Sequence, residues 1–240
     1  MTRDPAPLVL GVDGAKGGWV GALLPVTGRG AVRWVDARDI GTLVGRATDA
    51  AAAGGTGGVG VVAVDIPIGL PDTGRRRADG LARARLGARR SSVFPTPVRD
   101  AVLAPTYADA RRVSVERTGG VSLSAQAYGL RRAILDVDAY ARSGPSVRVV
   151  EVHPEMSFAA MRGAPMGSSK RTAAGRCERV EALRDQGITV ADLVEARGAD
   201  DLLDAAAAAW SGARVARGEA ESLPDPPERF GDGLEAAIHV

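Results

Sequence analysis

The chain has 240 residues, of which 45% are apolar, 25% charged and only 4% aromatic. That is more than one average domain of ~150 residues and less than two, and it excludes a disordered tail. A formal net charge of +2 excludes a polycation that charge alone would commit to nucleic acid.

The first apolar run, Leu8-Val-Leu-Gly-Val-Asp13, is short, lies between Pro7 and Gly14, and ends in an acid. Trp19–Leu24 and Ala31–Val35 are two further strand-like segments separated by Gly-rich turns, so the start reads as a three-stranded meander. A helix is expected over Asp39–Ala53, with Leu43, Val44, Ala47 and Ala51 on one side and Gly54-Gly55 closing it. Val59–Ile66 is nearly all apolar and β-branched, as in a strand covered on both faces, with Asp65 at its end and Pro67 stopping it.

Residues 70–146 change texture, with an arginine cluster, the Pro-broken Phe94-Pro-Thr-Pro97 and a helix expected from about Ser124 to Ser143. A fifth strand follows at Val147–His153, then a helix around Ala173–Gln186 that aligns Ala173, Cys177, Val180 and Leu183. The last strong element is Asp200–Arg217, after which Leu223–Pro227 reads as extended or loop-like and Gly233–Val240 as a short terminal strand. The order implies one mixed five-stranded α/β sheet flanked by helices. It forms a single domain over 1–240, with 70–146 an Arg-rich, largely helical insertion after the fourth strand.

No segment reads as a membrane span: the most apolar stretch near the start, Val20–Val26, holds Gly21 and Pro25 and falls short of the ~20 residues required. Met1–Pro7 shows no basic start leading into a secretory apolar core, and a cytoplasmic location is expected. The lone Cys177 excludes an internal disulfide and a cysteine zinc cluster, and His153 and His239 are too few for a histidine-built site. A metal here would be hard and held by carboxylates.

Acids recur where such a metal could sit. Asp13 and Asp65 each end a buried strand, the place where open α/β sheets gather their ligands. Asp201 and Asp204 share a face at the start of the last helix, and the five alanines Ala205–Ala209 let that helix lie close to the sheet. Converging carboxylates repel unless a cation lies between them, and a pair of Mg²⁺ ions would also clamp a phosphodiester for attack by water. Each acid has a plainer reading too. Asp13 before Gly14 suits a hairpin turn, Asp65 a polar strand end, and Asp200, Asp201 and Asp204 the capping of a helix. Glu151 and Glu155 flank His153 at period two and would share a strand face, which admits Glu151 or Glu155 to the cluster or, equally, a surface strand.

Between Arg75 and Arg99 lie eight arginines and one acid, Asp79, while Lys16 and Lys170 are the only lysines. The arginine run reads either as a solvated helix face or as a grip on a phosphate backbone, with Arg89 and Arg90 the named contacts. Lys16 lies in a turn beside Asp13, where it can touch a phosphate, but the Gly-x-x-x-x-Gly-Lys-Ser/Thr spacing of a P-loop is absent. Three Phe, three Tyr and three Trp are too few for a base-stacking platform.

Several stretches carry a family resemblance. Gly11-Val-Asp-Gly-Ala-Lys-Gly-Gly-Trp19, Val64-Asp-Ile-Pro-Ile-Gly-Leu-Pro71, Arg89-Arg-Ser-Ser-Val-Phe-Pro95 and Glu151-Val-His-Pro-Glu155 resemble, in that order, the domain-of-unknown-function family 429, described as predicted ribonuclease-H-like nucleases. Ser169-Lys170 and Asp201-Leu-Leu-Asp-Ala-Ala-Ala-Ala-Ala-Trp210 extend the match over about residues 9–215. The resemblance implies a ribonuclease-H-like fold, with Asp13 on the first strand, Asp65 on the fourth, and Asp201 or Asp204 on the last helix. The end of the chain, Glu235-Ala-Ala-Ile-His239, matches the family's closing strand only loosely.

The function expected is Mg²⁺- or Mn²⁺-dependent phosphodiester hydrolysis on DNA or RNA. Asp13, Asp65, Asp201 and Asp204 would hold metal, Glu151 would join them, and Lys16, Arg89, Arg90 and Lys170 would steady phosphates. Two alternatives stay open. One is a non-catalytic module of the same fold binding nucleic acid or protein. The other is an actin-like nucleotide-binding protein, which would need a second such unit across a cleft.

Overall fold

The structure, a computed structural model, describes residues 7–190 and 198–240. The hairpin β1 (Leu8–Ala15) and β2 (Gly18–Pro25) turns through Lys16-Gly17, where Gly17 takes a φ of +89° that a side chain would strain. β3 (Gly30–Ala31) and β4 (Arg33–Ala37) lead to α1 (Ile40–Ala53), capped by Asp39, whose carboxylate accepts from Thr42 N at 2.8 Å. β5 (Val59–Val64) precedes α2 (Arg77–Leu86), a 3-10 turn over Gly87–Ser92, α3 (Arg99–Leu103), α4 (Tyr107–Thr118), α5 (Ala125–Gly129) and α6 (Arg131–Arg142). Then come β6 (Arg148–Val152), α7 (Pro154–Arg162), α8 (Ala173–Asp185), β7 (Ile188–Thr189), α9 (Ala199–Arg217), β8 (Ser222–Arg229) and β9 (Glu235–His239).

The chain divides into two compact units. The first is Met1–Asp65 with Ser146–Glu221 and His239–Val240, and the second is Ile66–Pro145 with Ser222–Ile238. The class is mixed α/β as expected, but the main sheet has seven strands among the described residues, not five. Five of them, in the order β4-β2-β1-β5-β6, belong to the first unit, and the paired β9 and β8 to the second. Of the two readings of Leu223–Pro227, extended or loop-like, the extended one holds: the segment lies in β8. Proline cannot donate to a ladder, and its place at one end of the strand order tolerates that. The short β3 and β7 form a separate parallel pair.

In the first unit β1, β5 and β6 run parallel, with Val12 opposite Val64 and Val64 opposite Glu151, while β2 and β4 add antiparallel. α1 covers the sheet with Ile40, Leu43, Val44, Ala47 and Ala51, and Leu43 approaches Gly21 of β2. α9 packs on β1, β2 and β5 at backbone contact. A Cβ added to Gly11 would lie 2.1 Å from Ala209 N and 2.2 Å from Ala205 O, so glycine on the strand and fully buried alanines on the helix are both required. The five-alanine run therefore does what the sequence suggests and brings the acidic end of α9 down onto the sheet.

Two helices depart from their expected form. The stretch 124–143 breaks at Leu130 into α5 and α6, next to Gly129, a weak helix former. α8 has the expected span but another phase: it buries Gly175, Arg179, Ala182 and Leu183 and exposes Cys177. α2 falls on the arginine run that also reads as a solvated helix face, α3 and α4 lie within the insertion expected to be largely helical, and α7 is a helix that the sequence reading left unassigned.

Within the second unit much of the arginine cluster is internal framework. Buried Arg76 donates from Nε and Nη2 to Asp79 Oδ1 at 3.1 and 2.7 Å, and Asp79 also accepts from Thr96 N and Oγ1. Arg99 bridges Asp138 and Asp232, and Arg83 donates to Val93 O. Arg75, Arg77, Arg85 and Arg90 stay exposed.

Candidate active site: carboxylates around Lys170

Parallel pairing sets the first two acids side by side. Val12 faces Val64 and Asp65 N donates to Val12 O at 3.0 Å, so Asp13 and Asp65 leave adjacent strands at the same edge. The third, Asp204, is buried in the second turn of α9, which Gly11 and the alanines seat against β1. Lys170 enters from the turn before α8. Thr172 caps that helix through Gly175 N, and Gly175 admits the Ser169 carbonyl where any Cβ would collide at 1.9 Å. The Lys170 ammonium pairs with Asp204 Oδ2.

The electrostatics follow from burial and mutual repulsion. Burial, then the charges of Asp65 and Asp204, push Asp13 well above the usual carboxylate range against the pull of Lys170 and the Gly14 amide. Asp65 is pushed up to about 7 by burial, opposed by Lys170 and reinforced by Glu155. Asp204 rises to about 6 by burial, with Lys170 and Arg179 opposing and Asp65 adding to it. Burial drags on the Lys170 ammonium, but Asp204, Asp13 and Asp65 outweigh it and hold the proton more tightly than in water.

Sequence reasoning placed Glu155 on a strand with Glu151 and His153. The structure corrects this: β6 ends at Val152, Pro154 takes the first position of α7, and Glu155 lies in that helix's first turn. There its carboxylate acts on Asp65 and pairs with Arg179, which is itself fully buried and lies over the Phe158 ring at 5.4 Å. Glu155 Oε2 is buried with no hydrogen-bond partner among the described residues. Glu151 is buried on β6, and its carbonyl faces His239 Nδ1 at 3.3 Å. No sequence signal marked Arg179, because an arginine on a helix is expected to face water.

The structure thus brings together Asp13, Asp65, Asp204 and Lys170, with Glu155 and Arg179 behind them. Asp201 stands one turn earlier than Asp204, is raised by burial and feels Lys170, and lines a separate cavity of 810 Å³ with Lys16, Trp19, Arg38, Asp39 and Thr42. Lys16 and Arg38 are exposed and make no ion pair among the described residues. Arg89 and Arg90 belong to the second unit, in the 3-10 turn, Arg89 half-buried and Arg90 exposed.

Four acids face two cations here, so full ionisation leaves two negative charges, to be met by protons or by one divalent cation. In donor chemistry the acids suit Mg²⁺ or Mn²⁺. In spacing, no three or more histidine, cysteine, aspartate or glutamate side chains among the described residues already stand as a ligand set. No described helix is long and apolar enough to cross a membrane.

Fold and site define a mixed α/β protein with half-buried acids at the carboxyl ends of adjacent parallel strands. The chain belongs to the family described as Protein of unknown function (DUF429), whose profile matches residues 11–229. No curated protein and no solved structure matches it.

Proposed function

We propose that the protein is a divalent-metal-dependent phosphodiesterase of ribonuclease-H-like type, acting on DNA or RNA. The observation that carries the reading is the trio Asp13, Asp65 and Asp204, drawn from two strand ends and a helix and raised together by burial and mutual repulsion. These three acids would hold Mg²⁺ or Mn²⁺. The bound metal would supply charge neutralisation at the phosphate and acidify a water. Lys170 steadies Asp204 and lowers the charge of the cluster, and Arg179 anchors Glu155 beside Asp65. Lys16 and Arg38, exposed on the neighbouring cavity, hold the phosphates of the incoming strand, while the exposed arginines of the second unit form a separate basic surface for nucleic-acid backbone.

One observation favours the non-catalytic alternative: Lys170 already neutralises Asp204 without a metal. Cleavage assays separate the two. Labelled single- and double-stranded DNA, RNA and hybrid are incubated with Mg²⁺ or Mn²⁺ and with chelator, using wild type and Asp13→Asn. The proposal requires metal-dependent cleavage that the variant loses. An equally active Asn variant, or no cleavage of any substrate, refutes it.

A further inference from the structure

A second polar cavity lies in the first unit, at the carboxyl end of α9, away from the acids at its start. It has a volume of 330 Å³ and is lined by Thr27, Gly28, Arg29 and Gln186 on one side and by Trp210, Arg214, Arg217 and Glu219 on the other. Three guanidinium groups there face one carboxylate, a surplus of two positive charges.

The three arginines are not equally occupied. Arg217 is spent: Nε and Nη2 fork onto Glu219 at 3.0 and 2.7 Å, and Nη1 donates to Val26 O at 2.6 Å. Arg214 donates once, from Nη2 to Glu219 O at 2.7 Å, and its guanidinium lies over the Trp210 ring at 5.0 Å, which fixes its plane. Its Nε is buried with no partner, and its Nη1 makes no hydrogen bond among the described residues. Arg29 is exposed and makes no hydrogen bond or ion pair among them, and its stem passes close enough to Gly187 that an added Cβ there would meet it at 3.4 Å. Gly28, at φ +72°, brings the turn so near that an added Cβ would meet Arg217 Nη1 at 3.0 Å.

A helix carboxyl end ordinarily repels anions. Here the Arg214 carbonyl is already taken by Gly218 N and Glu219 N, which blunts that repulsion. Two arginines with unspent donors, one of them held flat by an indole, match the tetrahedral oxygens of a phosphate-type dianion. The volume is at the low end of the ~300–1,000 Å³ range of ligand cavities, which fits a small ion and not a nucleotide. We infer that this cavity is a phosphate-binding site, formed by Arg29 and Arg214 and independent of the carboxylate cluster.

Calorimetric titration of the full chain with inorganic phosphate tests it. The expected result is one saturable site per chain, weakened about tenfold or more in Arg29→Gln and in Arg214→Gln, since each loses a charge-assisted hydrogen bond. Sulfate should displace the phosphate and chloride should not, while Asp13→Asn/Asp65→Asn and Lys16→Gln should bind it unchanged. Arg29 is exposed, so its variant keeps the test valid if the Arg214 variant fails to fold. Absence of saturable binding at millimolar phosphate overturns the inference. So does binding that survives Arg29→Gln in full, or that is lost in Lys16→Gln instead.

Discussion

Replacing Asp65 by Asn should make the metal-free protein more stable, and the gain should depend on pH. Burial, with Glu155 adding to it against Lys170, moves Asp65 from 3.8 to about 7. An ionised carboxylate so displaced carries about 4 kcal/mol of unfavourable free energy in the folded state. Asn keeps the shape without the charge but also gives up the attraction to Lys170, so a net gain of about 2–4 kcal/mol is expected above pH 7. The sign follows from proton binding. The folded protein holds this proton more tightly than the unfolded chain, so the penalty is absent below about pH 4, grows through pH 4–7 and is complete above. Wild type should therefore lose stability as pH rises through that window, with the variant flatter and the two converging at low pH. Thermal unfolding in chelator should show a difference of about 4–16 °C at pH 8 for a chain of this length. A variant no more stable than wild type at pH 8, or a gap that does not close by pH 4, would refute the reasoning.

Gly11→Ala should force α9 away from β1, because the new methyl meets helix backbone at 2.1 Å; a loss of at least about 1–3 kcal/mol in denaturant unfolding is expected, and a neutral variant would contradict the packing. Arg179→Met should cost about 3–5 kcal/mol by leaving Glu155 charged and half-buried without its partner, and adding Glu155→Gln should restore part of it in the same assay. In the second unit, Asp79→Ala should cost about 3–5 kcal/mol, since it takes the counter-charge from the buried Arg76, which keeps its bond to Ile68 O, and removes both Thr96 bonds, whereas Arg77→Ala, exposed, should alter salt-dependent nucleic-acid binding more than stability.

The legible part of this chain is the part where hydrophobicity and chemistry change together. Asp13 and Asp65 stand out because each interrupts an apolar run that has no other polar residue, and the structure sets them on neighbouring parallel strands. Asp204 was legible from the alanines behind it, though only the helix phase separates it from Asp201, which looks into the 810 Å³ cavity instead. Glu155 was misplaced because period-two spacing continued across Pro154, a residue that starts a helix as readily as it ends a strand. Arg179 was invisible for a different reason. A buried arginine is identified only by its partner, and Glu155 lies 24 positions earlier, on another helix. The eight-arginine stretch misled in the same way: Arg76, Arg83 and Arg99 are internal struts whose acceptors, Asp79, Val93 O, Asp138 and Asp232, are set by the fold.

The central claim is that Asp13, Asp65 and Asp204 form a site for a divalent cation, and calorimetric titration of Mg²⁺ and Mn²⁺ addresses it without reference to any substrate. Wild type should bind metal saturably and gain thermal stability with it, while Asp13→Asn/Asp65→Asn, folded and more stable in chelator, should bind none. Metal binding of equal affinity in both proteins, or in neither, would contradict the account.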